Sequence, residues 1–255
     1  MGILEVKDLS KNFGGLSAVG NVHFDVNQEE LFSVIGPNGA GKTTLFNLIS
    51  GFLRPSHGKI LFEGDDITGW RPHQVAKKGI IRTFQTTTLF KNYTVLANAE
   101  IAYHLQLKAG FAKTIFNTST ARRDNVNARE RSLEILELMG LDDLQDELAK
   151  NLPHGHQRKL EIAIALVAQP KLLLLDEPVT GMNPEETINT MNLIREIQRK
   201  VGITVILVEH DMKAVMGFSD RIMVLNYGKK IAEGLPEKIR ANKEVVEAYL
   251  GRETL

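Results

Sequence analysis

Short apolar runs with polar punctuation open the chain. Ile3–Val6, Val22–Val26 and Leu31–Ile35 are bounded by Asn, Gly, Gln and Glu, a pattern that predicts strands. Gly58–Glu63 predicts another short strand before a Gly64-Asp65-Asp66 turn, and Ile80–Phe84 a buried one. From Val95 to Ala168 the period becomes helical. Ala128–Met139 places Leu133, Leu136 and Met139 on one face and its charges elsewhere. Lys171–Asp176 and Ile203–Val208 are almost continuously apolar, as strands covered on both faces are. Between them Pro184–Lys200 predicts a helix, with Asn183 as N-cap and Pro184 as its first residue. Leu105–Arg129 is polar and rich in Lys, Asn, Thr and Arg, and is expected to be a surface loop or short helix without chemistry. The order is β-rich, then helical, then alternating strand and helix. It predicts an α/β core with an inserted helical subdomain at about 90–165, within one domain over 1–255.

Composition narrows the chemistry. There is no cysteine, which excludes a disulfide framework, a thiolate metal site and a cysteine nucleophile. Basic and acidic residues balance at 31 each, which argues against a nucleic-acid partner, because a phosphate backbone is held by clustered Lys and Arg. No apolar run reaches the ~18 residues of a spanning helix, and Met1–Ser10 lacks an apolar secretory core. A cytoplasmic protein is expected.

The clearest motif is Gly36-Pro37-Asn38-Gly39-Ala40-Gly41-Lys42-Thr43-Thr44, which has the form GxxxxGK(S/T). It follows the apolar run Leu31–Ile35 and precedes the helical pattern Leu45–Ile49. Its glycines let successive backbone N–H groups turn inward around phosphate oxygens, and the following helix points its positive end at the same anion. Gly36, Asn38, Gly39, Ala40, Gly41, Lys42, Thr43 and Thr44 are expected to contact the nucleotide. Lys42 is expected to reach the β- and γ-phosphates, and the Thr43 hydroxyl to bind Mg²⁺.

Leu172–Leu175 ends in two adjacent carboxylates, Asp176 and Glu177. Charges at the C-terminal tip of a buried strand lie where α/β sites lie. Asp176 is expected to hold Mg²⁺, and Glu177, facing the other way along the strand, to polarise the attacking water. His210 follows the apolar run Thr204–Val208 and could bond the γ-phosphate or hold that water in register. Gln85 ends the Ile80–Phe84 run, where an amide can meet Mg²⁺ or water. Phe13, beside Gly14-Gly15, reads either as an exposed ring for an adenine face or as a core residue beside a turn.

This series resembles the ATP-binding subunit of an ABC transporter over essentially the whole chain: Phe13, the loop 36–44, Gln85, a signature segment, the 172–177 strand and His210. More finely, IGPNGAGKTTLFNLISGFLRPSHGKI, the insertion near 104–130, LPHGHQRKLEIAIAL and DEPVTGMNP are similar to the ATPase subunits of branched-chain amino acid importers. The resemblance implies a P-loop (RecA-like) ATPase core with an N-terminal antiparallel β subdomain and an inserted helical subdomain. It implies ATP and Mg²⁺ (Thr43, Gln85 and Asp176), with Lys42, Glu177 and His210 in the catalytic roles. The signature departs from the usual LSGGQ: Pro153 stands at the serine position, His154 at the first glycine and His156 at the glutamine, while Gly155 matches. Pro153, His154 and Gly155 are then expected beside the γ-phosphate held by an opposite subunit, ahead of a helix Gln157–Val167.

The implied assembly is a head-to-tail dimer with a like or a different cassette, on two transmembrane permease subunits, served by a substrate-binding protein. It would sit peripherally on the cytoplasmic face of the inner membrane. Thr86–Ala99 resembles the surface that receives the permease. Lipid, polysaccharide or urea/amide transport, and less readily a non-transport ABC ATPase, stay open at this stage. A P-loop GTPase does not, because Asn242-Lys243 is followed by Glu244-Val245 and lacks the guanine-reading Asp.

Overall fold

The structure, a computed structural model, describes residues 2–83, 89–106, 119–210 and 212–250. The elements begin with β1 (Leu4–Phe13), β2 (Leu16–Val26), β3 (Leu31–Ile35) and α1 (Lys42–Ile49). β4 (His57–Phe62), β5 (Asp65–Asp66), α2 (Pro72–Lys78), β6 (Ile80–Arg82) and α3 (Val95–Ala102) follow. Then come α4 (Ser119–Leu138), α5 (His154–Val167), β7 (Leu172–Asp176), α6 (Pro184–Val201) and β8 (Thr204–Val208). The last elements are α7 (Met212–Phe218), β9 (Arg221–Asn226), β10 (Lys229–Gly234), α8 (Pro236–Arg240) and α9 (Lys243–Leu250).

These residues group into two compact units. One comprises 1–82, 171–178 and 194–255. It holds an antiparallel sheet in the order β2-β1-β4-β5 and a six-stranded sheet in the order β10-β9-β3-β8-β7-β6. In the second sheet β9-β3-β8-β7-β6 are parallel and β10 is antiparallel. β3, β7 and β8 are buried at every position, which explains their unbroken apolar runs. The core includes Phe24 and Phe32, whose rings stack at 5.5 Å, with Leu45, Phe46, Ile60 and Phe62.

The other unit comprises 83–170 and 179–193. Here α3, α4 and α5 pack on one another, with Val95, Leu96, Ile135, Leu136, Leu160 and Ala163 buried. The buried Asn98 amide donates to the carbonyls of Phe90 and Thr94, and its oxygen accepts from the Phe90 N–H, so side-chain bonds fix the approach to α3.

Several sequence expectations shift. The β1–β2 hairpin runs longer than the apolar runs, because Gly14-Gly15 turns directly between the paired Phe13 and Leu16. Asp65–Asp66, expected in a turn, pairs with Leu61 and Phe62 as a short strand. Ser119–Arg129, expected as loop or short helix, is the first half of α4; the residues 107–118 of that stretch lie outside the described ones. α6 begins as expected: the Asn183 side-chain Oδ1 accepts from Glu186 N–H at 2.9 Å, and the Glu186 side-chain Oε2 accepts from Asn183 N–H at 3.0 Å. Among the described residues no helix is long and apolar enough to cross a membrane.

Candidate active site

The phosphate-loop sequence leaves the C-terminal end of β3. A Cβ on Gly36 would come within 2.1 Å of the Leu225 carbonyl, and on Gly41, at φ +101°, within 2.5 Å of the Ala18 carbonyl. Only glycine fits at either position. Gly41 is also the N-cap of α1 and offers no side-chain cap, so the first N–H groups of the helix face the loop. Lys42 is buried, with its ammonium donating to Gly36 O at 2.6 Å and Pro37 O at 3.2 Å. It is thereby held over the loop that Asn38, Gly39 and Ala40 form; Thr43 beside it is exposed and Thr44 half-buried. The β9–β10 turn secures the loop from outside, since Gly228 N–H donates to Ala40 O at 2.9 Å. Behind it, burial pushes the Tyr249 phenol up to about 12, against the lowering pull of the Gly36 backbone amide.

Strand register brings the next groups to the same edge. Val34 is level with Val208, and Val208 with Asp176. The loop, Glu177 and Glu209–His210 therefore all begin within two residues of one line across β3, β8 and β7. The Asp176 side chain is 1% exposed. Burial holds its carboxyl above the ordinary carboxylate value, with Arg82 and Lys42 pulling it down and Glu177 adding to the rise. Arg82 donates to Asp176 Oδ2 at 2.8 Å.

Glu177 departs from expectation. The strand ends at Asp176, and Glu177 adopts φ +51°, so strand alternation does not orient it. Its N–H donates to Val208 O at 2.9 Å, which fixes the turn against the tip of β8. His210 Nδ1 lies 3.9 Å from Glu177 Oε1 and 3.8 Å from Glu209 Oε2. Glu209, whose side chain is 1% exposed, also accepts from the His210 backbone N–H at 3.2 Å. Thus Lys42, Asp176, Glu177 and His210 share one sheet edge. Glu209 and Arg82 were not singled out in the sequence; the available signal was a charge inside or directly after an apolar run.

Phe13, on the β1–β2 hairpin, is 47% exposed with the Lys11 ammonium 5.1 Å from its ring centroid, so it is a surface ring and not a core one. Gln85 lies outside the described residues. In the helical unit, α5 begins at His154, three residues before the expected Gln157, with Pro153 as its N-cap. The fixed φ of Pro153 suits an N-cap but gives no side-chain cap; separately, Gln157 Nε2 donates to Leu152 O at 2.8 Å and ties the first turn to the preceding chain. His154 lies against Gly181, where an added Cβ would stand 3.3 Å from its Cε1. A Cβ on Gly155 would meet only Glu186 Oε1, at 3.9 Å.

Comparison with known proteins agrees with this geometry. Residues 19–180 match the family described as ABC transporter. Residues 229–254 match the family described as branched-chain amino acid ATP-binding cassette transporter. The chain is 46% identical over 249 residues to the high-affinity branched-chain amino acid transport ATP-binding protein LivG of Escherichia coli K12, covering 98% of each. It is 41% identical over 253 residues to the probable branched-chain amino acid transport ATP-binding protein LivG of Archaeoglobus fulgidus, covering 98% of this chain and 96% of the other. The crystal structure of the ADP conformation of MJ1267, an ATP-binding cassette of an ABC transporter, superposes with a TM-score of 0.86 at 34% identity. That superposition covers 99% of this chain and all of the other. With the phosphate loop, the paired carboxylates and the histidine on one edge of such a sheet, the chain belongs to the ABC transporter family, as one of its ATP-binding and ATP-hydrolysing cassettes.

Proposed function

We propose that this cassette powers an importer of branched-chain or related amino acids. The observation that carries the substrate class is the near-complete coverage of relatives named for branched-chain amino acid transport, extending into the C-terminal match at 229–254. The cassette works as one of a head-to-tail pair on two transmembrane permease subunits, at the cytoplasmic face of the inner membrane. A substrate-binding protein delivers the cargo.

Each ATP lies on the loop 36–44, with Lys42 on its β- and γ-phosphates and Phe13 against the adenine. Glu177 takes the proton of the attacking water, and His210 holds that water and the γ-phosphate in register. The hydroxyl of Thr43 and the carboxylate of Asp176 are hard oxygen donors of the kind Mg²⁺ takes alongside nucleotide phosphates. Thr43 and Asp176, with Gln85, would hold the ion, which supplies charge neutralisation on the phosphate oxygens.

Gly155 acts on the nucleotide of the opposite cassette, with Pro153 and His154 beside it. Among the described residues nothing near Gly155 requires a glycine: it has an ordinary helical backbone and room for a methyl group. A close approach by an outside group accounts for it. In the helical unit, inferred to be the inserted subdomain, Phe90 and Tyr93 are about half exposed with their rings 5.6 Å apart edge to face. They supply an aromatic contact for a permease within the 86–99 surface; residues 86–88 lie outside the described ones.

The test is reconstitution with the two permease subunits and the binding protein. Leucine, isoleucine or valine on the binding protein should stimulate ATP hydrolysis. Stimulation by urea or an amide, with no response to these amino acids, would overturn the substrate class.

A further inference from the structure

Arg82 is a full positive charge inside the sheet, on a strand only three residues long. Its side chain is 6% exposed. In register it stands level with Leu174, two residues short of Asp176 on β7, so the guanidinium reaches forward along the strand to the carboxylate. One nitrogen, Nη2, donates to Asp176 Oδ2 at 2.8 Å. The other, Nη1, donates to Asn47 Oδ1 at 2.6 Å and Ser50 Oγ at 3.2 Å. Ser50 can accept because its own hydroxyl hydrogen goes to Phe46 O, at 2.6 Å. The guanidinium also lies 5.6 Å from the centroid of the Phe46 ring. Asn47 and Phe46 are on α1 and Ser50 is its C-cap, so every one of these partners but Asp176 belongs to the helix that starts at Lys42 and Thr43.

A buried ion pair is weak evidence for stability, because well-packed apolar residues do as well or better. Stability alone therefore does not account for a buried arginine at this place. The planar fork does: it reaches Asp176 with one nitrogen and Asn47 and Ser50 with the other, in fixed directions, which the single ammonium of lysine cannot do. We propose that Arg82 is a positioning residue for nucleotide-bound Mg²⁺: it ties the Asp176 carboxylate to α1 and so sets Asp176 relative to Thr43. This rests on the reading that Asp176 and Thr43 hold the ion. On this proposal Arg82 acts on the ion through Asp176.

The test separates metal from nucleotide. Affinity for a fluorescent ATP analogue is measured in EDTA, and Mn²⁺ affinity of the ATP complex by electron paramagnetic resonance. Arg82→Met should keep nucleotide affinity in EDTA within twofold and lower Mn²⁺ affinity at least tenfold. Arg82→Lys keeps the charge and one contact, and should lower Mn²⁺ affinity three- to tenfold in a protein that still folds and unfolds cooperatively. Asn47→Ala, which removes the α1 end of the bridge only, should lower it in the same direction. Wild-type Mn²⁺ affinity in Arg82→Lys and Asn47→Ala overturns the proposal, whether or not Arg82→Met folds. So does a loss of nucleotide affinity in EDTA that matches the loss for Mn²⁺. If wild-type protein binds ATP but the ATP complex takes up no Mn²⁺, or if Asp176→Asn leaves Mn²⁺ affinity intact, the metal-site reading fails instead.

Discussion

The imidazole of His210 has its Nδ1 3.9 Å from Oε1 of Glu177, across the tips of two adjacent parallel strands. The buried Glu209 carboxylate stands at 3.8 Å from the same nitrogen. On the proposed roles, His210 holds Glu177 and a water molecule in one arrangement, and the groups that bind ATP are distinct from those that cleave it. Glu177→Gln keeps the shape and removes the proposed base. The hydrolysis rate should fall by ~10²–10⁴ with ATP affinity unchanged. His210→Ala should be milder, because it removes a positioning group. Single-turnover hydrolysis alongside equilibrium nucleotide binding checks both, and near wild-type turnover in Glu177→Gln removes it from the mechanism.

Lys42 meets the carbonyls of Gly36 and Pro37, so its ammonium is already placed over the loop. Lys42→Ala removes a charge-assisted contact worth ~1.5–3 kcal/mol. ATP affinity should drop at least tenfold and hydrolysis should be lost. A fluorescent-nucleotide titration showing unchanged affinity would contradict the assignment.

Gly155 separates trans from cis action. Gly155→Ala adds a Cβ at ordinary contact distance from Glu186 and should leave folding unharmed, since alanine favours a helix by up to ~1 kcal/mol over glycine. Gly155→Asp places a second carboxylate near Glu186 and at the start of α5, where it would oppose an approaching phosphate. The isolated chain should still bind ATP normally, while the assembled complex loses ATPase. A fall of affinity in parallel with activity would mean the segment acts in cis or on folding.

Asp220 gives a pH dependence away from the site. Burial raises its carboxyl, but Arg195 and the Leu31 N–H outweigh this and hold it below the ordinary value. A carboxyl lowered in the folded state stabilises above its unfolded value near 3.9, and that contribution fades as pH falls through the folded value. Asp220→Asn should therefore cost about 1–2 kcal/mol at pH 7, discounted for its partial exposure, and progressively less at pH 3. Urea unfolding at both values measures it. Equal losses at pH 7 and pH 3 would show that the charge is not responsible.

Much of the site was legible because it is local. The glycines of 36–44 are demanded by positive φ and by close backbone approach within one turn, and residue types alone report that. The unbroken apolar runs of β3, β7 and β8 announce burial on both faces, and charges directly after them mark the edge where chemistry sits. The structure departs from the sequence expectation where local propensity is neutral. The polar 119–129 stretch becomes helix because the apolar face of α4 further along buries against α3 and α5, and the start of α5 moves to His154 behind the fixed backbone of Pro153.

What the sequence by itself determined is therefore the identity and spacing of the phosphate loop, the carboxylates and the histidine, since each depends on neighbours a few residues away. Tertiary structure decided which strands stand side by side, and through their register everything that meets across them. Arg82 finds Asp176 across 94 positions of chain, and Glu177 meets His210 only because β7 and β8 end level. Such contacts come from burying two faces of one sheet at once. That is a property of the whole core, and no short segment records it.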